Sequence, residues 1–382
     1  MRIQIDGTGT VNKGAELMLY SILEEIQRVH PESTVYLNSY SASPFHIQSK
    51  LQVKKRPLLR ITEYPRILLN KFGIPHRVFT TFYPCKHVHL VLDASGYKFG
   101  DHWKYSERYI KYQSQYLTDL KRNKAKIIFL PQAFGPFSHH DSSRLIEILF
   151  NNADKVYARD ELSARYLMEK GGIKSKMGTW PDFTIKCKGI IPEDLNHLEG
   201  KVCIIPNHKM FTQTKSSISE YIDLMRLLLA EVKKKGKEVF LLNHEGDEDL
   251  KLCRLIKHKT NPSIPIISGL NAKETKGVIG LSYLVISSRY HGIASALNQS
   301  VPCLATSWSH KYEMLFKDYN VNDGIVDITA DKKDINNQIS DWLGPENNSE
   351  LRNKLSQRCK AIESQVDDMW VTIWNTLETV ER

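Results

Sequence analysis

The chain has 382 residues, of which 41% are hydrophobic and 25% are charged, as is typical of globular proteins. This length predicts two or three domains, and no apolar run reaches the roughly 18 residues that a membrane-spanning helix needs. The first residues, MRIQIDGTGTVNKG, lack the apolar core of a signal peptide. We therefore expect a cytoplasmic protein that does not cross a membrane.

The six cysteines are scattered singly along the chain, and none forms a C-x-x-C pair. This distribution predicts reduced thiols rather than a disulfide framework or a structural zinc site. The 14 histidines are dispersed as well, so we expect no metal site.

Basic side chains outnumber acidic ones by 53 to 43, which gives a net charge of +10. Such a surplus is typical of proteins that bind nucleic acid, an anionic membrane surface or anionic small molecules. Nucleic acid ranks last, because the sequence has no known nucleic-acid-binding motif. The densest basic stretch, residues 51–79, mixes Lys and Arg with Leu, Ile and Phe. It fits either attachment to the inner face of a membrane or a helix that packs on its own domain.

The first predicted domain, residues 1–188, alternates strands with helices. Strands are predicted at 2–6, 34–38, 89–93, 125–130 and 155–158, and helices at 15–29, 105–121, 141–152 and 160–170. This alternation indicates a mainly parallel sheet. The first strand leads into a glycine-rich turn, but Asn12 occupies the third glycine position of the dinucleotide-binding fingerprint, so that fingerprint is broken.

The second predicted domain, residues 200–345, repeats the same pattern, and residues 346–382 form a C-terminal helical segment. Strands are predicted at 201–205, 238–242, 283–286 and 303–306, and helices at 216–235, 249–259, 272–279 and 336–343. The fold class is therefore α/β with two parallel-sheet domains.

The most informative cluster follows the strand at 283–286. Arg289 and His291 come at the start of a helix rich in small residues, and the next strand delivers Trp308, His310 and Lys311. Open α/β sheets bind ligands at the carboxyl ends of their strands, where helix N-termini favour anions. The cluster thus predicts a site for a small, multiply charged anion.

Each candidate residue also has a structural alternative. His291 fits general acid-base catalysis or phosphate binding, but also a hydrogen-bonded core histidine. Arg289 fits bidentate binding of a carboxylate or phosphate, but also a buried ion pair. Arg159, at the end of the strand 155–158, fits the same anion or a local salt bridge to the acidic residues that follow it.

Several motifs occur in an order that resembles the polysaccharide pyruvyl transferase family over nearly the whole chain. They are NKGAE (12–16), DASGYKFGD (93–101), QAFGPF (132–137), RDELS (159–163), PDFTI (181–185), and RYHG (289–292) with VPC (301–303) and Lys311. The resemblance implies two Rossmann-like domains facing a cleft, as in GT-B glycosyltransferases. It also implies a C-terminal helix that crosses back to the first domain.

The resemblance further implies transfer of pyruvate from phosphoenolpyruvate onto two hydroxyls of a sugar, as a cyclic ketal, with release of phosphate. The sugar would belong to a bacterial-type surface polysaccharide or its lipid-linked precursor, and no cofactor or metal is implied. The implied catalytic and donor-binding residues are Arg159, Arg289, Tyr290, His291 and Lys311. The acceptor would face Asp6, Asn12, Glu16, Asp93, Tyr97 and Trp103 on the opposite domain.

Two motifs depart from the common family pattern. Ala15 stands where many relatives have aspartate, and PDFTI replaces the commoner D-P-A-F, and both departures concern the acceptor side. Two alternatives stay open: a GT-B-like glycosyltransferase that uses a nucleotide sugar, and a non-catalytic glycan-binding relative, since a fold does not fix a function.

Overall fold

The computed structural model describes residues 1–38, 54–55, 88–212, 217–306, 310–327 and 330–378. The basic stretch 51–79 lies outside these ranges except for Lys54–Lys55. The chain forms two compact units, and neither is continuous in sequence. The first contains Met1–Thr10, Ile22–Trp180 and Thr372–Arg382, and the second contains Val11–Ser21 and Pro181–Val371.

The first unit is built on a parallel sheet in the order β3-β2-β1-β4-β5-β6-β7. Its strands are β1 (Arg2–Asp6), β2 (Thr34–Leu37), β3 (Lys54–Lys55), β4 (Leu90–Asp93), β5 (Lys126–Gln132), β6 (Lys155–Ala158) and β7 (Met177–Thr179). The helices are α1 (Lys13–Val29), whose first turns belong to the second unit, α2 (Glu107–Arg122), α3 (His140–Asn152) and α4 (Glu161–Glu169). The central strands are buried along almost their whole length, which explains why they appear in the sequence as apolar runs.

The second unit contains a parallel sheet in the order β10-β9-β8-β11-β12. Its strands are β8 (Val202–Ile205), β9 (Val239–Leu242), β10 (Ile266–Ile267), β11 (Leu284–Ser287) and β12 (Cys303–Ala305). Its helices are α5 (Lys209–Thr212), α6 (Ile218–Lys234), α7 (Gly246–Lys259), α8 (Ala272–Gly280), α9 (Tyr290–Leu297), α10 (His310–Asp318), α11 (Lys332–Leu343) and α12 (Pro345–Glu378). The predicted α/β fold class with two parallel sheets is confirmed.

Each sheet contains a point where the strand order reverses. In the first sheet β1 lies between β2 and β4, and in the second β8 lies between β9 and β11. In each sheet the chain therefore continues on both sides of a central strand, β1 in the first sheet and β8 in the second. A crevice opens beside the carboxyl end of such a strand. The candidate residues at the ends of β1, β4 and β11 occupy these positions.

The helix α12 ends in the first unit, as predicted for the C-terminal helix. The Trp374 indole N–H donates to Glu25 Oε1 over 2.8 Å, and its ring meets the His30 ring edge-on at 4.8 Å. Within the part of the chain that the structure describes, no helix is both long and apolar enough to span a membrane.

Helix starts are the least accurate sequence predictions. The helix α7 begins at Gly246 rather than at residue 249, because its first turn consists of acidic residues that stabilise a helix N-terminus without adding to the apolar pattern. The helix α11 likewise begins at Lys332 rather than at 336, with a polar first turn.

Ile128 and Ile173 provide a test of how the first unit is packed. Ile128, in β5, is completely buried, whereas Ile173 is 52% exposed. We expect Ile128→Ala to lower the free energy of unfolding by about 2–5 kcal/mol, because it leaves a cavity in the core. Ile173→Ala should change it by no more than about 0.5 kcal/mol. Urea denaturation followed by circular dichroism measures both, and equal effects would contradict the buried position of β5.

Candidate active site

The second sheet brings polar side chains together at the carboxyl ends of its central strands. The strand β11 is followed by Ser288 and Arg289, and α9 then starts at Tyr290. The neighbouring turn after β8 contains Asn207, whose Nδ2 donates to the Ser288 carbonyl over 3.0 Å. The Tyr312 hydroxyl donates to the same carbonyl, also over 3.0 Å. These bonds fix the turn that presents Arg289.

Arg289 forms a buried ion pair, which is one of the alternatives that the sequence left open. Its Nε donates to Asp249 Oδ2 over 2.8 Å, and its Nη2 lies 2.6 Å from the same oxygen. Its Nη1 donates to Glu245. Asp249 Oδ1 accepts the His208 backbone N–H over 3.1 Å and contacts His208 Nδ1 at 2.8 Å. Since each terminal guanidinium nitrogen carries two N–H groups, the pair fixes the orientation of Arg289 without using all of its donors.

The NKGAE turn is also part of this site. Asn12 Nδ2 donates to Glu245 Oε1 over 2.6 Å, so Glu245 bridges Asn12 and Arg289. Glu16, which is almost completely buried, forms an ion pair with Lys13 at 2.9 Å. The sequence predicts Asn12 and Glu16 on the opposite domain, and this prediction is wrong, because Val11–Ser21 belong to the second unit. The physical reason is the polar contact with Glu245, more than two hundred residues away in sequence.

His291 packs directly against Gly14. A Cβ atom added to Gly14 would lie 2.0 Å from His291 Nδ1, which no side chain tolerates without a shift. The glycine of NKGAE is therefore required by the histidine of RYHG, and the two motifs form one structure.

Tyr290 and Lys311 extend the cluster along α9 and α10. The Tyr290 ring lies 5.2 Å from the His291 ring, and Lys311 Nζ lies 5.8 Å from the Tyr290 ring and 5.4 Å from the Tyr312 ring. The structure thus brings together Arg289, Tyr290, His291 and Lys311. Trp308 and the side chain of His310 lie outside the described part of the chain.

A further histidine that no sequence motif marks, His244, follows β9 and is only 5% exposed. Burial lowers the pKa of His244 well below its usual value of 6.5, and the positive charges of Arg289, His291 and Lys13 lower it further. Its position directly after an apolar strand is the signal that singled out Arg289, but a histidine two residues beyond the end of an apolar run is common in a folded chain.

Arg159 lies in the first unit, directly after β6, and is 7% exposed. Burial raises the pKa of Tyr97, and the positive charge of Arg159 opposes that shift. Asp160 caps α4 by accepting the Ser163 backbone N–H over 2.7 Å. The structure therefore places Arg159 near Tyr97, within the unit that was predicted to bind the acceptor.

Asp6 and Asp93 are neighbours at the reversal point of the first sheet, where they are partners in register. Asp6 Oδ2 accepts the Tyr116 hydroxyl at 2.5 Å, and Asp6 Oδ1 accepts Gln4 Nε2 at 2.6 Å. Burial and the negative charge of Asp93 raise the pKa of Asp6. Asp93 Oδ1 accepts Gln132 Nε2 at 3.3 Å. Two adjacent buried carboxylates suit polar hydroxyl ligands.

A group of ring-bearing side chains, Tyr97, His102 and Trp103, follows Asp93 closely in the sequence. The Trp103 indole N–H donates to the Tyr97 carbonyl over 2.8 Å, and the His102 ring stacks on the Tyr97 ring at 3.7 Å. Trp103 is 52% exposed, so it presents a rigid apolar ring with its polar group satisfied. Such a surface is suited to the face of a sugar.

Among the described residues, no three His, Cys, Asp or Glu side chains are arranged to hold a metal ion. The five described cysteines, Cys187, Cys203, Cys253, Cys303 and Cys359, are buried free thiols.

Solved structures with the same fold cover the whole chain. Staphylococcus aureus MnaA in complex with UDP matches 100% of this chain and 98% of its own, at a TM-score of 0.63 and 11% identity. The UDP-GlcNAc 2-epimerase from Neisseria meningitidis bound to UDP-GlcNAc matches 98% of this chain and 100% of its own, at a TM-score of 0.63 and 12% identity. Anabaena Alr3699/HepE in complex with UDP and glucose matches 97% of this chain and 99% of its own, at a TM-score of 0.57 and 12% identity. At these identities the likeness concerns the fold, and it confirms the GT-B-like class.

The sequence model of the family described as polysaccharide pyruvyl transferase matches residues 12–310. The chain belongs to this family. It is therefore a transferase of polysaccharide biosynthesis, and the match runs from the first residue of NKGAE to the residue before Lys311. No curated protein matches the chain significantly.

The contact between Gly14 and His291 in this pyruvyl transferase family member can be tested through stability. Gly14→Ala should destabilise the protein by about 1–3 kcal/mol, because the added methyl group overpacks the site. In a His291→Ala background the same substitution should cost much less, since the obstructing ring is gone. Thermal unfolding of the four proteins of this double-mutant cycle measures the coupling. Additive effects would contradict the packing.

Proposed function

We propose that this protein transfers pyruvate from phosphoenolpyruvate onto two hydroxyls of a sugar, forms a ketal and releases phosphate. The observation that carries the proposal is the set of basic side chains, Lys13, Arg289, His291 and Lys311, which the start of α1 and the segments after β11 and β12 contribute to the second unit. Phosphoenolpyruvate bears a carboxylate and a phosphate on one carbon, C2, and therefore needs several cations within a small volume. The family to which the chain belongs supports the same donor.

The reaction requires three events that the side chains can assist. C3 of the enol accepts a proton as a sugar hydroxyl attacks C2, and the hydroxyl proton must be removed. A second hydroxyl then attacks C2 as the bond between C2 and the phosphate oxygen breaks, and the proton of this hydroxyl leaves with the phosphate. We assign proton transfer to His291, and we assign Arg289 and Lys311 to holding the carboxylate and offsetting charge on the departing phosphate. The assignment of Arg159 to the same donor is carried by the family motif RDELS.

The acceptor sugar is proposed to bind the first unit. Asp6 and Asp93 accept hydroxyl protons in hydrogen bonds, and Trp103 offers an apolar ring face. Asn12 and Glu16 remain candidates for contact with the acceptor, although they fold with the second unit. A lipid-linked acceptor and attachment to an anionic membrane surface stay predictions, because the stretch 51–79 that suggests them lies outside the described residues.

Removing either central side chain should abolish most of the activity. We expect His291→Ala and Arg289→Ala each to lower ketal transfer by at least about 100-fold, in the range for loss of acid-base assistance. Arg289→Ala removes the cation that pairs with Asp249 and Glu245 and is expected to destabilise the fold as well. Arg289→Lys keeps the charge but not the planar fork, and should lose activity while staying folded.

Phosphate release from phosphoenolpyruvate in the presence of a glycan acceptor measures these losses, and circular dichroism checks folding. The exposed residues His258 and Arg226 supply matched controls, His258→Ala and Arg226→Ala, which should retain full activity. Unchanged transfer in His291→Ala would contradict its assigned role.

A nucleotide-sugar transferase is the second candidate, because MnaA and Alr3699/HepE are observed with UDP. A ligand that binds only the native state raises the melting temperature. At a concentration of one hundred times its Kd, it adds about 2.7 kcal/mol to the free energy of unfolding. We expect phosphoenolpyruvate to stabilise the wild-type protein and Arg289→Lys to lose that response, whereas UDP, GDP and CMP sugars should have no effect. Stabilisation by a nucleotide sugar, with consumption of that sugar and no phosphate release, would establish the second candidate instead.

A further inference from the structure

His244 is a buried polar residue to which the proposed mechanism gives no role. It lies two residues beyond β9, is 5% exposed, and its Nδ1 atom has no hydrogen-bond partner within the described parts of the chain. A buried nitrogen without a partner costs about 1–3 kcal/mol, so native proteins rarely keep one without a use. The unpaired atom therefore points to a ligand.

The charged groups around His244 come from three elements. Lys13 approaches from the start of α1, and Arg289 and His291 approach from the turn after β11 and the start of α9. Glu245, the next residue in the chain, binds Arg289 and Asn12. Asp249, one turn into α7, is the other carboxylate that binds Arg289.

The charges of Arg289, His291 and Lys13 therefore act on the imidazole, while the carboxylates Asp249 and Glu245 bind Arg289. An imidazole in such surroundings is neutral, and it has hydrogen-bonding capacity for a further group. Lys13, Arg289 and His291 favour an anion as that further group, although Lys13 is paired with Glu16 and Arg289 with Asp249 and Glu245.

We propose that His244 is a further residue of the donor pocket, which hydrogen-bonds the anionic donor through Nδ1 and takes up a proton when the donor binds. This inference rests on the proposed function for the identity of the donor. His244 would then be the second histidine of the donor pocket, beside His291 of the RYHG motif.

The proton uptake follows from the sign of the local charge. Without ligand, burial and three cations oppose protonation of His244. A bound phosphate and carboxylate bring negative charge into the same pocket, which raises the pKa of His244 in the complex above its value in the free protein. Donor binding is then linked to proton uptake, and affinity gains strength as the pH falls through the interval between the two pKa values.

Isothermal titration calorimetry with phosphoenolpyruvate in two buffers of different ionisation enthalpy counts the protons taken up. In a series of titrations at decreasing pH, we expect the wild type to take up more protons than His244→Asn, by up to about one per site. The amide of Asn places a polar group near the position of Nδ1 but does not titrate, so His244→Asn should still bind. Because protonation of the ligand itself is the same for both proteins, it cancels in the comparison.

His244→Phe keeps an aromatic ring and removes both nitrogens, and it should weaken donor binding about tenfold, the effect of losing one hydrogen bond to a charged group. His258→Asn, at an exposed position on α7, is the control and should behave like the wild type. Thermal unfolding checks that each variant is folded.

The outcomes separate the two proposals. If the wild type does not bind phosphoenolpyruvate, the proposed function fails together with this inference. If the wild type binds it and His244→Asn takes up the same number of protons, only the role of His244 is overturned. Wild-type affinity in a folded His244→Phe variant would overturn that role as well.

Discussion

The buried ion pair between Arg289 and Asp249 is the interaction on which the geometry of the candidate site depends. Removing two charges from water costs several kcal/mol per ion, and good geometry with additional hydrogen bonds is needed to offset it. Here the guanidinium directs Nε and Nη2 to one carboxylate oxygen, while His208 contacts the other. The turns after β8 and β11 and the first turn of α7 are thereby joined at one point, and Arg289 has a fixed orientation.

The NKGAE turn completes this arrangement through contacts of two kinds. Asn12 hydrogen-bonds Glu245, which also binds Arg289, so polar contacts hold the turn in place. Gly14 has no side chain and lets the His291 ring approach the backbone. The NKGAE motif near the start of the chain thus positions His291, and both belong to the second unit.

The two sheets share one topological feature, but the candidate residues beside it differ in charge. Each has a strand-order reversal, and each carries its candidate residues at the carboxyl ends beside that reversal. In the first unit these residues are the carboxylates Asp6 and Asp93, and burial together with the negative charge of Asp93 raises the pKa of Asp6. In the second unit they are cations and histidines, which suit an anion. The proposed function assigns the neutral sugar acceptor to the first unit and the anionic donor to the second.

The sequence by itself determined the alternation of strands and helices, because buried parallel strands are apolar on both faces and are bounded by turns. It also determined that Arg289, His291 and Lys311 follow strand ends, and that the chain belongs to its family. Only the tertiary structure decided which unit holds Asn12 and Glu16, which carboxylates bind Arg289, and that His244 is buried among cations. The physical reason is that these contacts join residues far apart in sequence, and no local pattern encodes the partner of a single charged or polar side chain.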